Sequence, residues 1–199
     1  MWVDSLAPPE YAGAMAMGFV VLTAVGPDRV GIVEDISGMV TKAGCNIEES
    51  KMAVLGGEFA LMMLVSGQKA SVDSMAGSLP VLGEKLGLSV SCRPTREPHA
   101  EQKGRPYILK AVSLDTPGIV HAVSAVIRRY SINIEDLETR TVPAPWTGAP
   151  MFQLSALLVV GPSVTLSTFK DDLQRLQLEQ DLDIVLKPVY APGAETAES

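Results

Sequence analysis

The sequence predicts an α+β protein built from two successive β-α-β-β-α-β units, and three observations carry that prediction. The chain repeats itself at a spacing of 87 residues; its apolar residues switch between strand-like and helix-like periods; and glycines and prolines fall where the period changes. The repeat is direct. Residues 19–33 align with 106–120, Asn46-Ile47-Glu48 aligns with Asn133-Ile134-Glu135, and 11 of the 32 pairs over residues 19–50 are identical without a gap. Replacements such as Ile36 by Val123 and Val40 by Ile127 keep the apolar pattern.

Each element follows in order. Residues 19–25 and 107–112 are apolar runs rich in strand formers, so each opens its unit as a strand. Ile32, Ile36, Met39, Val40 and Ala43, and then Ile119, Val123, Val126, Ile127 and Tyr130, have the spacing of a helix with one apolar face. Pro117 is expected in the first turn of the second of these helices, where a missing N–H costs nothing. Residues 46–55 and 58–66 read as a hairpin turning at Gly56-Gly57, and the second unit repeats the hairpin with a Pro-rich loop from Val142 to Pro150. A second helix follows in each unit, through Val72, Met75, Leu79, Leu82 and Leu86 and through Leu166, Phe169, Leu173 and Leu176; Pro80 is expected to kink the first. Leu88–Cys92 and Leu182–Val189 close the units as strands.

This order is the ferredoxin-like motif, twice. The expected organisation is an N-terminal extension (1–17), a first domain (18–92), a linker (93–105), a second domain (106–190) and a flexible acidic tail (191–199).

Composition narrows the function. Hydrophobic residues make up 47% of the chain and charged ones 20%, a globular balance, and the formal net charge is -7. Direct nucleic-acid binding needs a dense cationic face, which the short groups Arg128-Arg129 and Lys103/Arg105 do not supply. The longest apolar run, Phe59–Val65, is far below the ~20 residues of a membrane helix, and the first eighteen residues carry no Lys or Arg, so neither a span nor a secretory signal is expected. Two cysteines, Cys45 and Cys92, give no disulfide framework or metal spacing, which fits a reduced, cytoplasmic setting. His99 and His121 are far apart with no paired cysteines, so no zinc site and no other cofactor is expected. Cys45 aligns with Ile132 and reads as a small buried hydrophobe. Glu48-Glu49 and Glu135-Asp136 are neighbours in strands and are expected to face opposite ways, so neither pair makes a catalytic dyad.

The sharper signal is Asp28-x-x-Gly31-Ile32-Val33 at the first strand-to-helix turn, repeated as Asp115-x-x-Gly118-Ile119-Val120, with Asn-Ile-Glu opening the next strand. With the stretch Gly44–Phe59, then Met63–Gly67 and Ser78–Pro80, it resembles the ACT family of amino-acid-sensing domains. Within that family the first unit is similar to the branch of glycine cleavage system repressors. The similarity is strong over residues 17–91 and looser over 106–190. The resemblance implies a small amino-acid effector, glycine or a similar one, bound at these turns or at an interface between domains. By position it would be held by Asp28, Gly31, Ile32 and Asn46, and by Asp115, Gly118, Ile119 and Asn133 in the repeat. The chemistry suits this: free N–H groups at a helix start attract a carboxylate, an Asp pairs with an ammonium, and an Asn amide both donates and accepts. A plainer reading stands beside it, in which each Asp is a helix N-cap and each Asn a turn residue.

The function expected is that of a non-catalytic regulatory protein. It would bind the effector and modulate a protein partner, a transcription factor in the control of amino-acid metabolism; the alternative is a free regulatory subunit docked on a metabolic enzyme. A homodimer is expected, because each four-stranded sheet leaves edges and one apolar side to cover.

Overall fold

The computed structural model of the chain describes residues 17–97 and 104–189. The acidic tail, nearly all of the N-terminal extension, and the middle of the linker with His99 and Lys103 lie outside the described residues. The chain divides into two compact units, residues 1–99 and 100–199.

The first unit runs β1 (Met17–Pro27), α1 (Ile32–Lys42), β2 (Asn46–Leu55), β3 (Glu58–Gln68), α2 (Lys69–Leu86) and β4 (Ser89–Thr95). The second runs β5 (Arg105–Leu114), α3 (Ile119–Arg129), β6 (Asn133–Pro143), β7 (Pro150–Val160), α4 (Leu166–Gln180) and β8 (Asp183–Pro188). The sheets have the same order, β2-β3-β1-β4 and β6-β7-β5-β8, and every neighbouring pair is antiparallel. The fold is α+β, two ferredoxin-like units in tandem.

The helices of each unit lie on one side of its sheet, because only one side offers a continuous apolar surface. Val20, Leu22 and Ala24 of β1, Leu61, Met63 and Val65 of β3, Ile36 and Val40 of α1, and Met75 and Leu79 of α2 form one buried cluster. Leu109, Leu154, Leu158, Val123, Ile127, Phe169 and Leu173 belong to its counterpart. Each of these side chains larger than alanine contributes about 1.5–3 kcal/mol on burial. Cys45, expected to be buried by its alignment with Ile132, packs against the first cluster but is only half-buried.

Several boundaries differ from the sequence reading. β4 continues to Thr95; as an edge strand paired only with β1 it tolerates Pro94. α2 continues through Pro80 to Leu86, with Pro80 exposed at the helix surface. Pro117 is not in the first turn of α3. Gly118 is the N-cap and Ile119 the first helical residue, so Pro117 precedes the helix in the turn that leads to it.

Candidate functional site

The turn from β1 to α1 is shaped by one glycine. Gly31 caps the helix with φ 92 and ψ -4, and no side chain caps α1. Its carbonyl accepts the Asp35 N–H at 2.9 Å, which starts the helix. The second unit repeats this: Gly118 has φ 100 and ψ -7, its carbonyl accepts the Ala122 N–H at 2.9 Å, and α3 has no side-chain cap. The reading of Asp28 and Asp115 as N-caps therefore fails; each lies three residues before the glycine that holds that position. Among the described residues no partner takes the N–H groups of Ile32, Val33 and Glu34, or of Ile119, Val120 and His121.

Each aspartate's backbone ties its turn to the neighbouring hairpin. Asp28 N–H donates to the Gly57 carbonyl at 2.9 Å, and Asp115 N–H to that of Pro150 at 3.0 Å. The side chains differ. The Asp115 carboxylate accepts the Thr141 hydroxyl at 3.2 Å. Val54 takes the place of Thr141 in the first unit, and the exposed Asp28 carboxylate has no partner among the described residues. Beside it, Arg29 donates to Asp35 at 2.8 Å and to the Val30 carbonyl at 3.1 Å, so Asp35, one of two acids in the first turn of α1 with Glu34, carries its own counter-charge. The first turn of α3 contains no acid at all.

Asn46 is elsewhere. It pairs with Ser66 across β2 and β3, whereas Pro27 pairs with Glu58 at the other end of β3. Eight residues of β3 at about 3.3 Å each separate the two ends by roughly 26 Å. One small ligand in one unit cannot touch both Asp28 and Asn46. The second unit has the same layout, with Asn133 opposite Val159 and the Asp115 turn against Pro150. The topology was already legible as a reason: a β-α-β crossover makes its two strands parallel, so the end of the first and the start of the second lie at opposite ends of the sheet.

What surrounds Asn46 is a feature the sequence reading missed. The β2–β3 register shifts between Ile47 and Glu49, leaving Glu48 as the extra residue of a bulge. Its carboxylate accepts the Asn46 side-chain N–H at 3.0 Å and a short hydrogen bond from the buried Ser66 hydroxyl. The Ser66 bond, then the Asn46 bond, hold Glu48 below the ordinary glutamate range and outweigh the opposing effect of desolvation. The strict alternation used to separate Glu48 from Glu49 is thus interrupted. The second unit keeps the bulge at Glu135 but places Val159 opposite Asn133, so it lacks the hydroxyl. Nothing in the local sequence marks Ser66, because the pairing that brings it to Glu48 spans 18 residues.

No described group is poised as a nucleophile by these contacts. Burial pushes the Cys45 thiol up, away from the reactive thiolate. Among the described residues no three His, Cys, Asp or Glu side chains cluster to hold a metal, and no helix is long and apolar enough to cross a membrane.

Against known proteins, the family model described as ACT domain matches residues 18–93. A 127-residue stretch is 35% identical to the glycine cleavage system transcriptional repressor of Escherichia coli K12, covering 63% of this chain and 66% of the repressor. A 72-residue stretch is 40% identical to a UPF0237 protein of Methanopyrus kandleri, covering 35% of this chain and 80% of that one. Residues 18–93 belong to the ACT-domain family. Two crystal structures extend the likeness over 88% of this ACT-domain chain. One is of an unknown protein from Galdieria sulphuraria (33% identity, TM-score 0.74, all of that chain covered). The other is of a candidate glycine cleavage system transcriptional repressor (26% identity, TM-score 0.68, 99% covered). The match spans just under two thirds of the length of the Escherichia coli repressor. The chain thus carries an ACT domain over residues 18–93 and is similar to a transcriptional repressor.

Proposed function

We propose that the protein senses a small amino acid, glycine or one of similar size, and passes its occupancy to a protein partner that controls amino-acid metabolism. The observation that carries this reading is the pair of glycine-capped helix starts, each with three N–H groups that have no partner among the described residues. A ligand carboxylate has donors and a favourable helix dipole there. In the first unit the Asp28 carboxylate, without a partner among the described residues, is the acceptor for the ligand's ammonium, with Gly31 and Ile32 forming the floor. Asp115, Gly118 and Ile119 are the counterpart in the second unit, with Asp115 already engaged by Thr141. Asn46 and Asn133 belong to this site only if a second copy of the chain supplies them, which accords with a homodimer. A cytoplasmic setting and a transcription factor as partner accord with the similarity to the repressor and with the charge of -7, which disfavours direct contact with DNA. By linkage, the partner changes the ligand's affinity by the factor with which the ligand changes the partner's.

The test is calorimetry of the full chain with glycine and a panel of free amino acids. Asp28→Ala is expected to weaken binding roughly tenfold or more, the loss of a hydrogen bond to a charged group. Asn46→Ala is expected to leave the affinity of a monomeric sample unchanged. Failure of every amino acid to bind, or indifference of the affinity to Asp28→Ala and Asp115→Ala in folded protein, would refute the proposed site.

A further inference from the structure

The second unit has a cavity at a corner that the first unit closes. In the first unit α2 starts at Lys69, immediately after β3 ends at Gln68, and a side chain at Gly18 would already meet Lys69 Cα at 3.4 Å and Val72 at 3.5 Å. The helix seals that corner. In the second unit five residues, Gly161 to Thr165, separate β7 from α4. Arg105 and Tyr107 stand where the first unit has Gly18 and Val20, 87 residues earlier. A cavity of about 530 Å³ results, lined by Arg105, Tyr107, Val160, Pro162, Val164 and Leu166 among others. That volume is in the range of small-molecule sites.

Three features of the lining have one chemical sense. Tyr107 is 8% exposed, yet its hydroxyl has no hydrogen-bond partner among the described residues. Among the described residues no fully buried side-chain N or O atom lacks a partner, so this hydroxyl keeps some accessible surface, and Tyr107 lines the cavity. Arg105 is exposed, lines the cavity and forms no ion pair among the described residues. α4, fifteen residues long, begins at Leu166 with Thr165 as N-cap and no side-chain cap bond, and the N–H groups of Leu166, Ser167 and Thr168 have no partner among the described residues. A phenol donor, a guanidinium and a helix N-terminus all favour an anion, and the Val160, Pro162 and Val164 walls favour an apolar body attached to it.

We propose that this cavity binds a small organic anion bearing a carboxylate or phosphate group. Arg105 and the start of α4 would hold the charged group, and the Tyr107 hydroxyl would donate to it. The site lies where β5 begins, at the opposite end of the sheet from the Gly118 turn, so it stands or falls separately from the amino-acid reading.

The test is a ¹H–¹⁵N NMR titration of the full chain, at constant ionic strength, with inorganic phosphate and separately with acetate. Saturable shifts centred on the amides of Arg105, Val164 and Leu166 to Thr168 are expected with at least one of them, and the probe that saturates first names the anion class. Arg105→Gln is expected to weaken binding about tenfold. Tyr107→Phe, which keeps the ring and the packing, is expected to weaken it several-fold, while Arg128→Gln, another exposed arginine of the unit, leaves it unchanged. Shifts that never saturate, or that weaken equally in Arg105→Gln and Arg128→Gln, would overturn the proposal.

Discussion

Gly31→Ala isolates the backbone device on which the α1 turn depends. A Cβ at this position meets nothing closer than Arg29 Nη1 at 3.8 Å, an ordinary contact, so steric crowding by neighbours does not enter. What remains is the backbone itself. An L-residue in the left-handed region costs roughly 1–2 kcal/mol, and φ 92 with ψ -4 is well away from the centre of that region near +57, +47. Alanine recovers about 0.4–1 kcal/mol by restricting the unfolded chain. The net expectation is a loss of about 1 kcal/mol, which is roughly fivefold in the opening equilibrium and about 4–8 °C in the melting temperature of a unit this size. Gly38→Ala is the control of opposite sign. Gly38 is inside α1, a Cβ there would have nothing within 4 Å, and alanine is expected to stabilise the helix by about 0.5–1 kcal/mol. Hydrogen exchange of the Ile36 and Val40 amides reads the first unit alone: faster in Gly31→Ala, slower in Gly38→Ala. Unchanged or slower exchange in Gly31→Ala would show that α1 does not begin on a left-handed glycine.

Val30 is 97% exposed in the same turn, at the place Pro117 occupies in the second unit. Val30→Pro is expected to raise the stability of the first unit by about 0.4–1 kcal/mol through the unfolded chain, with protection of the α1 amides as the readout; a loss would mean that the two turns differ in backbone shape. Glu48 gives a pH signature. Its carboxylate is held below the ordinary glutamate range, so the stability it adds is present above the unfolded-state value and is lost as pH falls through the lower folded-state value. Glu48→Gln is therefore expected to flatten the decline in thermal stability at acid pH, and an acid limb identical to that of the parent protein would contradict the Ser66 and Asn46 contacts.

How much of this was written in the sequence differs between its levels. The 87-residue repeat, the helical spacing of Ile32, Ile36 and Val40, and the Gly56-Gly57 hairpin turn are local properties, and each fixes an element without reference to the rest of the chain. The glycines at 31 and 118 belong with them, since a positive φ before a helix is a demand that a single residue meets. Pro117 shows the limit of such reading, because one step along the turn separates a first-turn proline from one that precedes the cap. Only the tertiary structure decided which motifs meet. Asp28 and Asn46 are 18 residues apart in sequence and looked like one site, but the parallel crossover sends them to opposite ends of a sheet. Ser66 and Glu48 looked unrelated, but antiparallel register and a one-residue bulge join them. The cavity beside Tyr107 arises because five residues hold α4 off the strand end that α2 closes directly. Periodicity follows from the geometry of each residue with its near neighbours, whereas register and loop reach depend on residues the chain brings together only when the sheets close.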